Sequence, residues 1–118
     1  MNHRNEIEAA RAMLTKVLQH AREHGAAKVN HLHIAIGEIA ELDQDLILAH
    51  WRDLSKGTLA EPAQLHFRAI AADAQCMACF KKYHPEGGEI RCPYCGSYGA
   101  KILSGEEFYI ESIETEIK

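Results

Sequence analysis

No apolar run in this chain approaches the roughly 18–20 residues needed to span a bilayer, so no membrane helix is expected. Clustered positive charge is also missing. The 13 Lys and Arg are scattered and the formal net charge is −4, which argues against nucleic acid as the main partner, because phosphate binding needs grouped cations. The opening residues, Met-Asn-His-Arg-Asn-Glu, lack the apolar stretch of a signal peptide. A cytoplasmic location is therefore expected, where thiols stay reduced and paired cysteines suggest metal rather than disulfides. Neither a repeat nor a low-complexity tract occurs, and no nucleophile–base constellation or phosphate loop is visible. These absences predict a small binding protein and not an enzyme.

What is present is ordinary in bulk: 47% hydrophobic and 25% charged residues in 118, enough for one modest domain or a small domain with an insertion. Ile7, Ala10, Leu14, Val17, Leu18 and Ala21 recur at helical spacing and predict an amphipathic helix over 6–23. Asn5 is its expected N-cap, with Glu8 three residues on, and Gly25 its stop. Between Lys28 and Ile36 the period becomes two, with Leu32, Ile34 and Ile36 on one face and His31 and His33 on the other. Asp43 is placed to cap a second helix ending near Ser55, with Leu46, Ile47, Trp51 and Leu54 inward. Leu65, Phe67 and Ala69 alternate with Gln64, His66 and Arg68 in a second strand. A third strand, 107–117, falters near Ser112, as at a bulge. The expected fold is α+β: a two-layer body of a three-stranded sheet with two helices, plus an inserted cysteine module.

That module holds Cys76, Cys79, Cys92 and Cys95, spaced C-x₂-C, twelve residues, C-x₂-C. Two intervening residues let both thiolates of a knuckle reach one ion at about 2.3 Å, and two knuckles complete a tetrahedron. A structural Zn²⁺ is the expectation, since four thiolates close the coordination shell and leave no position for a reacting water. Spacing alone leaves a rubredoxin-like iron site or reversible disulfides as alternatives. Pro93 and Gly96 favour the tight turns that knuckles need. The ion would supply stability that so short a module cannot get from burial.

The first three residues, Met1-Asn2-His3, offer a second kind of chelate. An α-amine, the backbone nitrogens of Asn2 and His3, and the His3 imidazole can enclose one ion in fused rings. Such tetragonal nitrogen coordination suits Ni²⁺ or Cu²⁺. Other histidines are weaker candidates. His20 and His24 stand one helical turn apart, His31 and His33 lie on an outward strand face, and His84 sits within the cysteine module as a partner or spare ligand. In each case an ordinary solvated surface is the simpler expectation.

Six segments together resemble the HypA/HybF hydrogenase nickel-incorporation family: Ala21-Arg-Glu-His-Gly25, Ile36-Gly-Glu-Ile39, Lys56-Gly-Thr-Leu-Ala-Glu61, Cys92-Pro-Tyr-Cys-Gly96, Leu103-Ser-Gly-Glu-Glu107 and Ile110-Glu-Ser-Ile113. The resemblance implies a nickel-binding α/β domain, 1–72 with 104–118, and a zinc-ribbon domain, 73–103. It implies transient Ni²⁺ alongside structural Zn²⁺, delivery to the [NiFe]-hydrogenase large subunit, a HypB-like GTPase as partner, and a monomer or weak dimer. Family members typically begin Met-His-Glu and bind nickel there. In gap-free register that pair falls on Asn5 and Glu6, so His3 would replace the missing histidine, with Glu6 and Asp43 near the metal. The family's Ser-Gly turn reads Ala40-Glu41 here. The alternative expectation is a HypA-like, zinc-stabilised adaptor or assembly subunit that has lost nickel binding.

Overall fold

A computed structural model describes residues 4–86 and 89–118, Arg4 by its backbone alone. Met1, Asn2 and His3, the expected nickel chelate, lie outside the described residues. In chain order the elements are α1 (Arg4–Glu23), β1 (Ala26–Gly37), α2 (Gln44–Leu54), β2 (Gln64–Ile70), β3 (Asp73–Cys76), β4 (Lys82–Tyr83), β5 (Ala100–Ser104) and β6 (Phe108–Ile117). Two three-stranded sheets form, ordered β2-β1-β6 and β4-β3-β5. The α+β body expected from the sequence is present. The cysteine module adds a sheet that the sequence pattern did not reveal.

The chain divides into two compact units. The first comprises residues up to Ile34, Leu42–Arg68 and Ile110–Lys118; the second comprises Ala35–Glu41 and Ala69–Tyr109. In the first unit α1 packs against α2. Ala10, Met13, Val17 and Ala21 of α1, Val29, Leu32 and Ile34 of β1, and Ile47 and Trp51 of α2 supply the buried core. The line of deepest burial along α1 begins with a carboxylate, because Glu6 lies one turn before Ala10 on that line and is only 7% exposed. Met13 belongs to the same line, whereas Leu14 and Leu18 are half-buried beside it.

Two local features depart from or refine the sequence pattern. Asn5 is already helical, so it is not the cap of α1. The alternation of β1 slips by one residue at Asn30–His31, which keeps both Val29 and Leu32 inward. A similar slip at Glu111–Ser112 interrupts β6 where the pattern falters. Gly25 ends α1 with φ +64°, a left-handed stop that glycine adopts without strain.

Candidate metal centre

The second unit is built around the cysteines. β3 pairs antiparallel with β4 (Ala74 opposite Tyr83) and with β5 (Cys76 opposite Ala100). One buried cluster in it joins Ala74, Cys76, Tyr83 and Cys92, with Cys79, Ala100 and Ile102 packed against it. Two of its four innermost side chains are thus prospective ligands. So small an apolar core cannot hold a sheet of strands this short, and a bound ion supplies the difference.

The two knuckles share one geometry. In the first, the Ala78 and Cys79 amides donate to Cys76 Sγ at 3.3 and 3.4 Å, and Phe80 N–H donates to the Cys76 carbonyl at 2.9 Å. In the second, the Tyr94 amide donates to Cys92 Sγ at 3.4 Å and Gly96 N–H to the Cys92 carbonyl at 2.9 Å. The residue after each second cysteine turns left-handed, Phe80 at φ 64° and Gly96 at φ 79°. Glycine makes that turn freely; phenylalanine does so under strain.

All four sulfurs lie within 4.8 Å of one another. Cys76 Sγ and Cys95 Sγ are 3.5 Å apart, and Cys79 Sγ and Cys92 Sγ 3.7 Å. Zn–S bonds of about 2.3 Å at tetrahedral angles separate the sulfurs by roughly 3.8 Å, close to these two pairs, so the donor set fits zinc. These separations far exceed a disulfide bond, and all four cysteines are free. Without metal the thiols are unequal. The Cys79 amide and further hydrogen bonds bring Cys76 down to about 6. At Cys95 the Ser97 amide pulls the same way, but contacts with Cys76, Cys92 and Cys79 together with burial push the thiol up to about 11. Cys92 is the intermediate case, where burial opposes and the Cys95 and Tyr94 amides outweigh it, leaving the thiol lowered. A cation that collects four thiolates resolves this competition.

The remaining sequence candidates fall into place separately. Asp43 caps α2: its Oδ1 accepts the Asp45 and Leu46 amides at 2.9 and 3.2 Å. Its own N–H donates to Glu6 Oε2 at 3.2 Å, which ties the Asp43 backbone to the Glu6 carboxylate. Glu41 occupies the family's glycine position at φ 58°, so the turn before α2 is kept by a strained non-glycine residue. His84 faces Ala72 and Glu38: Nδ1 pairs with the Ala72 carbonyl at 2.8 Å, and Nε2 lies 3.3 Å from Glu38. Trp51 is core, 1% exposed. Sequence reasoning missed two features, the left-handed Phe80 and a histidine cluster on the outer face of β2-β1-β6. The first could have been found from its place after a C-x₂-C pair, but the second requires strand register.

Fold and site together define a small α+β protein with a helical unit and a closed four-thiolate zinc ribbon. Residues 5–115 match the family described as "Hydrogenase/urease nickel incorporation, metallochaperone, hypA". The hydrogenase maturation factor HypA of Chlorobium limicola is 33% identical over 112 residues, covering 95% of this chain and 97% of that protein. HypA of Aquifex aeolicus is 29% identical over 113 residues, covering 96% and 98%. The solution structure of the Ni metallochaperone HypA from Helicobacter pylori shares the fold, with a TM-score of 0.68, 21% identity and coverage of 96% and 98%. The chain belongs to the HypA family of nickel-incorporation metallochaperones. Structural zinc and transient nickel are the metals that this membership and the four-cysteine cluster support.

Proposed function

We propose that this chain carries Ni²⁺ during [NiFe]-hydrogenase maturation through nitrogen donors of Met1, Asn2 and His3, with Glu6 and Asp43 beside the ion. The observation that carries the site is the 3.2 Å contact between Glu6 Oε2 and Asp43 N–H. It ties Glu6, in the first turn of α1, to the backbone of Asp43 at the head of α2. The Asp43 amide bonds Oε2 of Glu6, and the Asp45 and Leu46 amides bond Oδ1 of Asp43. Exchangeable nitrogen and oxygen donors allow the release that a carrier requires, in contrast to the closed thiolate shell. Zinc in this reading holds a docking surface and does not travel. No helix among the described residues is long and apolar enough to cross a membrane. The reading makes the chain a cytoplasmic, non-catalytic carrier, with a HypB-like GTPase and the hydrogenase large subunit as its partners.

Nickel titration of the zinc-loaded protein tests this reading, with His3→Ala and Asn5→His beside the wild type. A yellow square-planar band that is lost in His3→Ala, and lost again when the α-amine is acetylated, supports the carrier. Absence of stoichiometric nickel in the wild type, restored by Asn5→His, would sink it in favour of the adaptor.

A further inference from the structure

Three imidazoles meet on the outer face of the β2-β1-β6 sheet, within the first unit. His31 Nδ1 of β1 lies 3.0 Å from His66 Nε2 of β2. The His33 and His66 rings stack at 4.8 Å with an interplanar angle of 18°. On the other side of β1, His33 Nε2 lies 2.5 Å from Glu114 Oε2 of β6. His66 therefore bridges the two β1 histidines, and a carboxylate closes the row.

A polar sheet face needs no histidine, because Thr and opposite charges paired across strands serve it. The neighbouring positions on this face are ordinary ion pairs, Arg68 with Glu111 and Lys28 with Glu116. What distinguishes the histidine row is donor chemistry at coordination distance. Imidazole nitrogens bind borderline divalent ions at roughly 2.0–2.1 Å, which puts two adjacent ligands roughly 2.9–3.4 Å apart. The 3.0 Å between His31 Nδ1 and His66 Nε2 falls in that interval. Two neutral imidazoles so placed can share only one hydrogen bond, whereas a cation engages both lone pairs. His33 is presently turned to Glu114, and its ring torsion has a broad minimum that lets it turn inward as a third ligand. Glu114 would then orient a ligating ring and offset charge, as outer carboxylates do around bound metals.

We propose that His31, His66 and His33, supported by Glu114, form a solvent-accessible site for a borderline divalent transition-metal ion. The site is separate from the zinc ribbon. Imidazole–carboxylate donors select Ni²⁺, Cu²⁺ or Zn²⁺ over Mg²⁺ and Ca²⁺, which prefer all-oxygen shells. Resting on the carrier reading, the ion held here is nickel, and the sheet offers a second holding position for the same cargo.

The test is NiCl₂ titration of the zinc-loaded full chain, read by equilibrium dialysis and by imidazole ¹H–¹⁵N spectra. Wild type is expected to hold one nickel more than His66→Gln, a variant that keeps side-chain size and hydrogen bonding and should retain the wild-type unfolding temperature. His31→Ala should weaken the sheet equivalent at least tenfold, His33→Ala less. Sub-stoichiometric Ni²⁺ should broaden the ring signals of His31, His33 and His66. His3→Ala should leave this equivalent in place, so failure of the terminal site and failure of this one are distinguishable. Equal nickel in wild type and His66→Gln with sharp ring signals would overturn the proposal. So would loss of the extra equivalent on His24→Ala, which would assign it to the His20–His24 pair on α1.

Discussion

Glu6 accepts the backbone N–H of Asp43 at 3.2 Å, so the residue that heads the buried line of α1 fixes the residue that caps α2. The contact spans 37 positions in sequence. It explains a buried carboxylate in a small core, because Glu6 is satisfied by a backbone donor at the point where its own helix meets the next. The proposed nickel site uses the same two residues.

Capping and nickel contact at Asp43 separate on substitution. Asp43→Ala removes the acceptor for the Asp45 and Leu46 amides and should cost about 1 kcal/mol, within a range of roughly 0.5–2 kcal/mol. Asp43→Asn keeps an acceptor oxygen and should unfold within a degree or two of wild type. If Asp43 also meets nickel, both variants bind it several-fold more weakly, and thermal unfolding beside nickel titration distinguishes the effects. Wild-type nickel affinity in Asp43→Asn would confine the residue to capping.

Phe80 holds a conformation that its counterpart in the second knuckle, Gly96, adopts freely (φ 64° against 79°). Phe80 is also 63% exposed, so little packing is lost on truncation. Phe80→Gly should stabilise the zinc-loaded ribbon by about 1 kcal/mol, the usual cost of a left-handed non-glycine residue less the added freedom of the unfolded chain. Competition with a chromogenic chelator reads the change as slower zinc loss. Faster loss would show that the Phe80 ring contributes packing that outweighs the strain.

Sequence pattern revealed the body of the fold because its elements are long enough for period to dominate. α1 runs twenty residues and β1 twelve. The ribbon sheet stayed hidden for the opposite reason: β3, β4 and β5 have four, two and five residues, too few to show alternation beside glycines and prolines. The cysteine ligands were legible from spacing alone, since local chain geometry sets a knuckle. By contrast, the Glu6–Asp43 contact and the meeting of His31, His33 and His66 depend on how distant segments pack, which spacing along one element does not encode. Asn5 misled because it sits where a cap is expected, although the helix already includes it.

Gly37 lies against Gly105, and Gly105 against Ala72, each too closely to tolerate a methyl group. A Cβ on Gly37 would lie 2.0 Å from the Gly105 carbonyl oxygen, and one on Gly105 would lie 2.7 Å from Ala72 Cα with φ at 108°. Both obstructions are backbone, so no side-chain rotation relieves them. The approach is held by Gly37 N–H donating to the Glu107 carbonyl at 2.7 Å and Ile39 N–H to the Gly105 carbonyl at 2.8 Å. Gly37→Ala and Gly105→Ala should each destabilise by about 3 kcal/mol or more, through forced backbone shifts at both and, at Gly105, added strain at its positive φ. Denaturant unfolding of the zinc-loaded variants measures it, and a loss under 1 kcal/mol would mean that the segments separate at little cost.

His84 makes the second unit's stability depend on pH. The Ala72 carbonyl accepts from Nδ1–H, and this bond, with the charges of Glu38, Glu86 and Asp73 against burial, raises the imidazole above its ordinary 6.5. A group whose folded pKa is raised contributes stability in full below the unfolded value, and loses it as pH rises through the folded value. Zinc-loaded protein should therefore lose stability above about pH 6.5, the unfolded value. His84→Gln should flatten that slope, while Glu38→Gln should reduce it and leave the Ala72 bond. An unchanged slope in His84→Gln, measured by thermal unfolding between pH 6 and 8.5, would place its origin elsewhere.

Zinc removal should unfold the ribbon, because Ala74, Cys76, Tyr83 and Cys92 are too small a core to stand without the ion. A structural zinc contributes on the order of 10 kcal/mol, more than a module of this size retains as net stability. One zinc per chain should be released as its thiols are modified. Amide signals of residues 73–104 should then collapse toward random-coil positions. The core of Val17, Leu32, Ile47 and Trp51 contains no metal ligand, so the signals of α1 and α2 should stay dispersed. Cys76→Ser should reproduce the collapse at ambient zinc, as it replaces a thiol that its amide donors bring down to about 6 with a hydroxyl that does not ionise to a metal-binding anion. Retention of dispersed ribbon signals after complete zinc removal would show that the β4-β3-β5 sheet is self-supporting and that the ion serves another purpose.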